Sequence, residues 1–297
     1  IFSSSVCHSV KCRGSMIMNR SSSSSSHSLR GGCIFILALL LIEAEGQELI
    51  NSDFLDDHDL NEWSIPDSFQ PSPLRRLAFG SCNKQRLQQP LWDSIIDFEP
   101  QIWLWTGDAI YASIHSPDGL DQGYALQHLN PGYQRLLNAG IRVDGTYDDH
   151  DFGLNDFGRK LPFREASQAR FLDFLRVGPA SRRRARRGAY SAHVFGAPPR
   201  QAKVLLLDTR FHRDDHAVPS VGAAPFPLAT VIAAAGRWAC ACLGIGADYG
   251  GDVLGDEQWR WLDAQLANST AAVHIIVSSV QVLSSNPIFE SWMHFPR

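Results

Sequence analysis

Apolar residues fall in short runs separated by polar, glycine-containing breaks, and the period of those runs changes along the chain. Residues 75–82 (RRLAFGSC) form an apolar run that breaks at Gly80, and 101–111 (QIWLWTGDAIY) form a second that breaks at Gly107. Residues 141–149, 202–210 and 272–281 read as three further strands. Between them, apolar spacings of three and four mark helices. Residues 88–98 put Leu91, Ile95 and Phe98 on one helical face, with Pro90 near its start. Residues 131–140 predict a short helix stopped by Gly140, and 165–177 a helix carrying Phe171, Leu172, Phe174 and Leu175. Residues 255–268 predict a helix capped by Asp256 that buries Trp259, Leu262 and Leu266. Apolar strands alternating with helices predict an α/β fold whose strands are covered on both faces.

Three regions fall outside this pattern. Residues 47–73, with Pro66, Pro71 and Pro73, read as a polar lead-in to a domain spanning 74–297. Residues 216–253 are rich in Ala, Gly and Pro and follow neither period. They read as an atypical insertion: a lid, a disordered stretch, or sequence foreign to the mature message. Residues 1–46 read as upstream residues plus a secretory signal peptide. Met16 or Met18 opens a weakly basic stretch, the apolar run Cys33–Ile42 follows, and cleavage is expected near Gly46. The apolar run is too short to span a bilayer, so a secreted chain with no membrane span after cleavage is expected; a short membrane anchor is the alternative.

Composition narrows the function classes. With 27 Lys and Arg against 31 Asp and Glu, the net charge of -4 argues against a dedicated nucleic-acid-binding surface. The one basic run, Arg182–Arg187, reads as a solvated loop. Once the leader is removed, Cys82, Cys240 and Cys242 remain, which is not a disulfide framework.

Charge is most concentrated in TYDDHDFGLND (146–156), where four aspartates surround one histidine. In α/β sheets ligands bind beyond the carboxyl ends of the strands. Read there, the chain offers Gly80-Ser81-Cys82, Gly107-Asp108 with Tyr111, Asp148-Asp149-His150-Asp151, Asp208-Thr209-Arg210 and Ser278-Ser279. Buried carboxylates without counter-charge take up protons or metals. Carboxylate, phenolate and thiolate donors together suggest a trivalent iron site, beside oxygen-donor sites for Ca²⁺ or Mg²⁺.

The segments FGSCN, TGDAIYA, YDDHDFGLND, LLLDTRFHRD and LGDEQWRWLDAQL, and SSVQVL with its later WMHFP, resemble the PhoD-like alkaline phosphatase/phosphodiesterase family. That family belongs to the calcineurin-like metallophosphoesterase superfamily. The resemblance covers roughly residues 75–215 and 254–296. It implies a four-layer α/β/β/α sandwich holding Fe³⁺ and Ca²⁺, and hydrolysis of phosphate mono- or diesters, small-molecule or lipid. By resemblance, Cys82, Asp108 and Tyr111 bind iron, Asp108 also bridges to calcium, Asp149 is a metal ligand or a ligand's neighbour, and Asn155 matches a calcium-binding asparagine. His150 matches a histidine that contacts phosphate and assists the leaving group. Arg210 either touches the ester or pairs with Asp208. The family's later Gly-Asp-Val-His element has no counterpart before Arg297, so the resemblance implies that the C-terminal half of the sandwich is missing. The expected function is metal-dependent phosphoester hydrolysis, the alternative a truncated, non-catalytic fragment with residual metal or phosphate binding. Asn268-Ser269-Thr270 is a possible glycan acceptor.

Overall fold

A computed structural model describes residues 7–11, 40–42, 63–112, 116–218, 228–245, 249–267, 269–284 and 290–295 of the chain. Its strands are β1 (Cys7–Lys11), β2 (Leu40–Ile42), β3 (Ser68–Gln70), β4 (Arg76–Gly80), β5 (Ile102–Thr106), β6 (Arg142–Thr146), β7 (Ser191–Phe195), β8 (Ala202–Leu206) and β9 (Val273–Val277). Its helices are α1 (Trp92–Asp97), α2 (Asp118–His128), α3 (Pro131–Asn138), α4 (Asp149–Phe152), α5 (Arg164–Phe174), α6 (Arg182–Ala185), α7 (Leu228–Leu243) and α8 (Gly255–Ala267). The expected mixed α/β class is what the chain adopts.

Two sheets carry the fold. The first has the order β1-β4-β5-β6, the second β2-β9-β8-β7-β3. Strands β4, β5 and β6 run parallel, with Gly80 opposite Trp105 and Thr106 opposite Thr146, so their carboxyl ends emerge side by side. In the second sheet β8 and β9 are parallel, while β7 runs antiparallel to β8. The side-chain alternation of β5 accounts for its unbroken apolar run, because successive residues point to opposite faces. Ile102 and Leu104 join Leu77, Phe79, Val204, Leu206, Ile275 and Val277 in a core shared by both sheets. Trp103 and Trp105 point the other way, into a core with α1, α2, α3 and α5. There Trp92 lies edge-on to both, at ring-centroid distances of 5.2 and 5.7 Å. On the far side of the second sheet, Leu205 and Leu207 pack with Trp261 and Leu262 of α8. Each fully buried side chain of this size contributes about 1.5–3 kcal/mol.

Local chemistry sets the helix ends. The Asn130 side chain accepts from the Tyr133 N–H at 3.0 Å, Pro131 opens α3, and Gly140 follows it at φ 72°. For α8 the capping carboxylate is Asp252, not Asp256: it accepts from the Leu254 and Gly255 N–H groups and from the Trp259 indole. The buried face of α8 is correspondingly rotated, with Gln258, Trp261, Leu262, Ala264 and Gln265 inside, while Trp259 and Leu266 are half-buried. In α1, Trp92 replaces Leu91 as the buried anchor beside Ile95.

The basic run at 182–187 is not a solvated loop. Arg183 is only 2% exposed, lies 2.9 Å from Asp144 and donates to the Ala189 carbonyl. Arg184 pairs with Asp173 at 2.7 Å and Arg186 with Asp67 at 3.3 Å. Within 216–253, residues 228–243 form α7, where the run of alanines supplies high helix propensity. Its Ala233, Ala234 and Arg237 are buried, while Val231, Ile232, Trp238 and Leu243 are exposed. Of residues 1–46, only Cys7–Lys11 and Leu40–Ile42 are described, as strands antiparallel to β4 and β9; the rest of the leader and Asn268 lie outside the described residues. Among the described residues no helix is long and apolar enough to cross a membrane.

Candidate metal centre

The site forms where β4, β5 and β6 end. The loops after β4 and β5 bond to each other, Cys82 N–H to the Gly107 carbonyl at 3.3 Å and Asn83 N–H to the Asp108 carbonyl at 2.8 Å. Cys82, Gly107 and Asp108 all have left-handed backbone, with φ of 55°, 110° and 51°. For Cys82 and Asp108 that conformation carries strain of the kind that clusters at ligand sites. Gly107 is required: a β-carbon there would lie 2.7 Å from Asp148 Cβ and 2.9 Å from Ser279 Cβ.

Asp148, Asp149 and Asp151 divide by what their oxygens already hold. Asp151 accepts the Ala109 N–H at 2.8 Å on one oxygen and the Asp148 N–H at 2.6 Å on the other. Together with Asp148 it makes a capping box that starts α4 and ties it to the end of β5. Asp148 accepts the Arg210 guanidinium. Asp149 binds the backbone N–H of Asp156 with one oxygen, at 2.8 Å. Donor atoms of Asp108, Asp149 and His150 all lie within 4.8 Å of one another. The His150 backbone N–H donates to Asp108 Oδ1 at 3.3 Å, and the His150 ring lies 4.3 Å from that of Tyr111. Cys82 Sγ is 3.8 Å from Asp108 Oδ2. Asn155 is half-buried in the turn after α4, next to Asp156. The candidate donors Cys82, Asp108, Tyr111 and Asp149, with His150, are thus brought together, and Asn155 sits at their edge.

Electrostatics at this point are adverse to anions. Burial, and then Asp149, Asp148 and Asp151, push the Asp108 carboxyl well above the usual carboxylate range. Burial also raises Asp148 to about 6, against the pull of Arg210. Burial and the neighbouring Asp108 push the Cys82 thiol up to about 12 and the Tyr111 phenol higher still than its ordinary value. Carboxyl, thiol and phenol converge, and the nearest cation to the phenol among the described residues is Lys84, whose Nζ lies 5.5 Å from the Tyr111 ring centroid. That donor set fits a multivalent cation, which would let all three ionise.

Arg210 is 1% exposed, and its guanidinium does not pair with Asp208. Asp208 instead accepts the Ala189 N–H at 2.8 Å, the Arg210 and Phe211 N–H groups at 2.9 Å, and the Tyr147 hydroxyl. The Arg210 Nε donates to Asp148 Oδ1 at 2.7 Å, and Nη2 donates to Asp148 and to Glu290 Oε2, the latter at 2.6 Å. Sequence reasoning missed Glu290; its only local signal is an acid two residues before Trp292 in an otherwise uncharged stretch.

Compared with protein-family models, curated proteins and solved structures, the chain matches none.

Proposed function

We propose that this chain is a metal-dependent phosphoesterase of the PhoD-like type, hydrolysing phosphate mono- or diesters in the secretory pathway. The observation that carries the reading is the convergence of Asp108, Asp149 and His150 donor atoms within 4.8 Å at the ends of parallel strands. The shared core between two sheets, with helices against their outer faces, supports the four-layer α/β/β/α sandwich that the reading requires.

In this reading Cys82, Asp108 and Tyr111 would hold iron, and Asp108, Asp149 and Asn155 would hold calcium. Bound metal ions supply Lewis acidity toward the phosphoryl oxygens and a water of lowered pKa. The chain's own groups do the rest. His150 contacts the phosphoryl group and passes a proton to the leaving oxygen. Tyr111, whose ring packs on the His150 imidazole, holds that ring in place. Arg210 sets its positive charge against the developing negative charge of the transition state.

The test is hydrolysis of a chromogenic phosphodiester and a chromogenic monoester, with iron and calcium supplied, by the wild-type chain and by Asp108→Asn. Metal-dependent turnover that Asp108→Asn abolishes is the expected result. A folded chain that turns over neither ester refutes the enzymatic reading and leaves a non-catalytic metal- or phosphate-binding chain.

A further inference from the structure

Glu290 is the least expected participant near the site. It is buried among three basic side chains: Arg210 Nη2 at 2.6 Å from Oε2, and Arg213 Nη1 at 3.2 Å and His216 Nε2 at 3.0 Å from Oε1. Arg210 and Arg213 are 1% and 0% exposed. Two buried guanidiniums that share one acid repel each other once that acid is removed. With Glu290 present, Arg210 is gripped on both sides: Asp148 takes Nε and Nη2, and Glu290 takes Nη2 from the other side. Nη1 is the nitrogen left over, buried and without a hydrogen-bond partner among the described residues. An unpaired cationic N–H at this depth is costly, and an anionic oxygen entering the site would satisfy it.

We propose that Glu290 is a positioning residue: by holding Arg210 from the side opposite Asp148, it leaves Nη1 fixed as the donor for a phosphoryl oxygen. The inference rests on the phosphoesterase reading for its biological purpose, but it can be tested by phosphate binding alone. A fixed guanidinium loses little conformational freedom on meeting the anion, and that preorganisation is what Glu290 supplies. Its negative charge acts in the opposite sense, weakening anion binding. The clamp outweighs the charge, because a glutamine would aim its own N–H at one of the guanidiniums it must hold.

The experiment measures inorganic phosphate binding to the metal-free chain by calorimetry, for wild type, Glu290→Gln, Glu290→Asp, Arg210→Gln and the double variant Arg210→Gln/Glu290→Gln. Circular dichroism reports the fold of each. Expected are a loss of phosphate affinity of about tenfold in Glu290→Gln, partial recovery in Glu290→Asp, and no further loss when Glu290→Gln is added to Arg210→Gln. If Glu290→Gln does not fold, the comparison of Glu290→Asp with wild type carries the test, and an affinity within about twofold of wild type overturns the proposal. Unchanged or tighter binding in folded Glu290→Gln, additive losses in the double variant, or no phosphate binding by the wild type overturns it as well. Failure of ester hydrolysis with these binding effects intact would count against the enzymatic reading and leave the role of Glu290 standing.

Discussion

Cys82 Sγ lies 3.8 Å from Asp108 Oδ2, and both residues hold left-handed backbone, at φ 55° and 51°. Two non-glycine residues at the ends of adjacent parallel strands adopt the same sparsely populated conformation. Through it, a thiol and a carboxyl that would otherwise diverge with the strand pleat are turned toward one point. Such strain persists only where the surrounding structure fixes it, here through the paired loops and the Asp151 cap. The predictions below follow from this arrangement and from the buried charges around it.

Asp108→Asn removes a buried carboxyl crowded by three other aspartates. Metal-free protein is expected to gain about 1–3 kcal/mol in urea unfolding, while bound iron and calcium, measured by elemental analysis, fall below stoichiometry. Opposite changes in stability and metal content distinguish a ligand from a structural acid, whose loss would lower both.

Gly107→Ala places a methyl 2.7 Å from Asp148 Cβ in a backbone conformation at φ 110°. A loss of about 1–3 kcal/mol in denaturant unfolding is expected, with weakened metal binding, because Asp148 must move and Asp149 adjoins it. Unchanged stability would show that the strand end yields without cost.

The Arg183–Asp144 pair is buried at 2.9 Å, with His193 a further 2.9 Å from the same carboxylate. Arg183→Met should cost about 3–5 kcal/mol by leaving the buried Asp144 without its guanidinium, with only His193 and the Gly145 N–H as partners. Burial alone would raise the Asp144 carboxyl, but Arg183 and His193 outweigh it and hold it well below the usual range. A depressed native value means stability that is present at neutral pH and is lost as pH falls below about 4. Unfolding midpoints across that range should therefore fall less steeply in Asp144→Asn than in wild type.

Lys203 is buried in β8 and donates to the Gln265 carbonyl at 2.5 Å. Burial lowers its ammonium to about 8. The charged form is thus penalised in the native state below that pH, and the penalty is relieved as pH rises through 8 toward the unfolded value. Lys203→Met is expected to unfold at higher urea concentration than wild type at pH 7, with the gap narrowing above pH 8. A variant less stable at pH 7 would show that the carbonyl contact outweighs the buried charge.

Much of the secondary structure was legible because burial on both sheet faces leaves unbroken apolar strands. Apart from α1, the helices that were missed or misaligned have buried faces that are partly polar. In α2 the inward positions are Leu120, Gly123, Tyr124 and Gln127, which follow helical spacing but are not all apolar. Gly123 is there because a β-carbon would meet Ile110 at 2.5 Å, and Gln127 because it bonds Asn83 and Gln89. In β7 the buried His193 interrupts the apolar run for the same reason: its partner, Asp144, comes from another strand.

By itself the sequence determined which chemistry stands at each strand end. A parallel strand delivers the residues that follow it to one edge of the sheet, so Cys82, Asp108, Asp149 and His150 could be grouped from local order alone. Only the tertiary structure decided which acids remain open to a cation and which are committed. Asp151 is taken up by backbone donors, Asp148 by Arg210 from 62 residues away, and Arg210 by Glu290 from a further 80. Periodicity is set by neighbours within a turn or a pleat. Charge pairing is set by distance in space, which the order of residues along the chain does not encode.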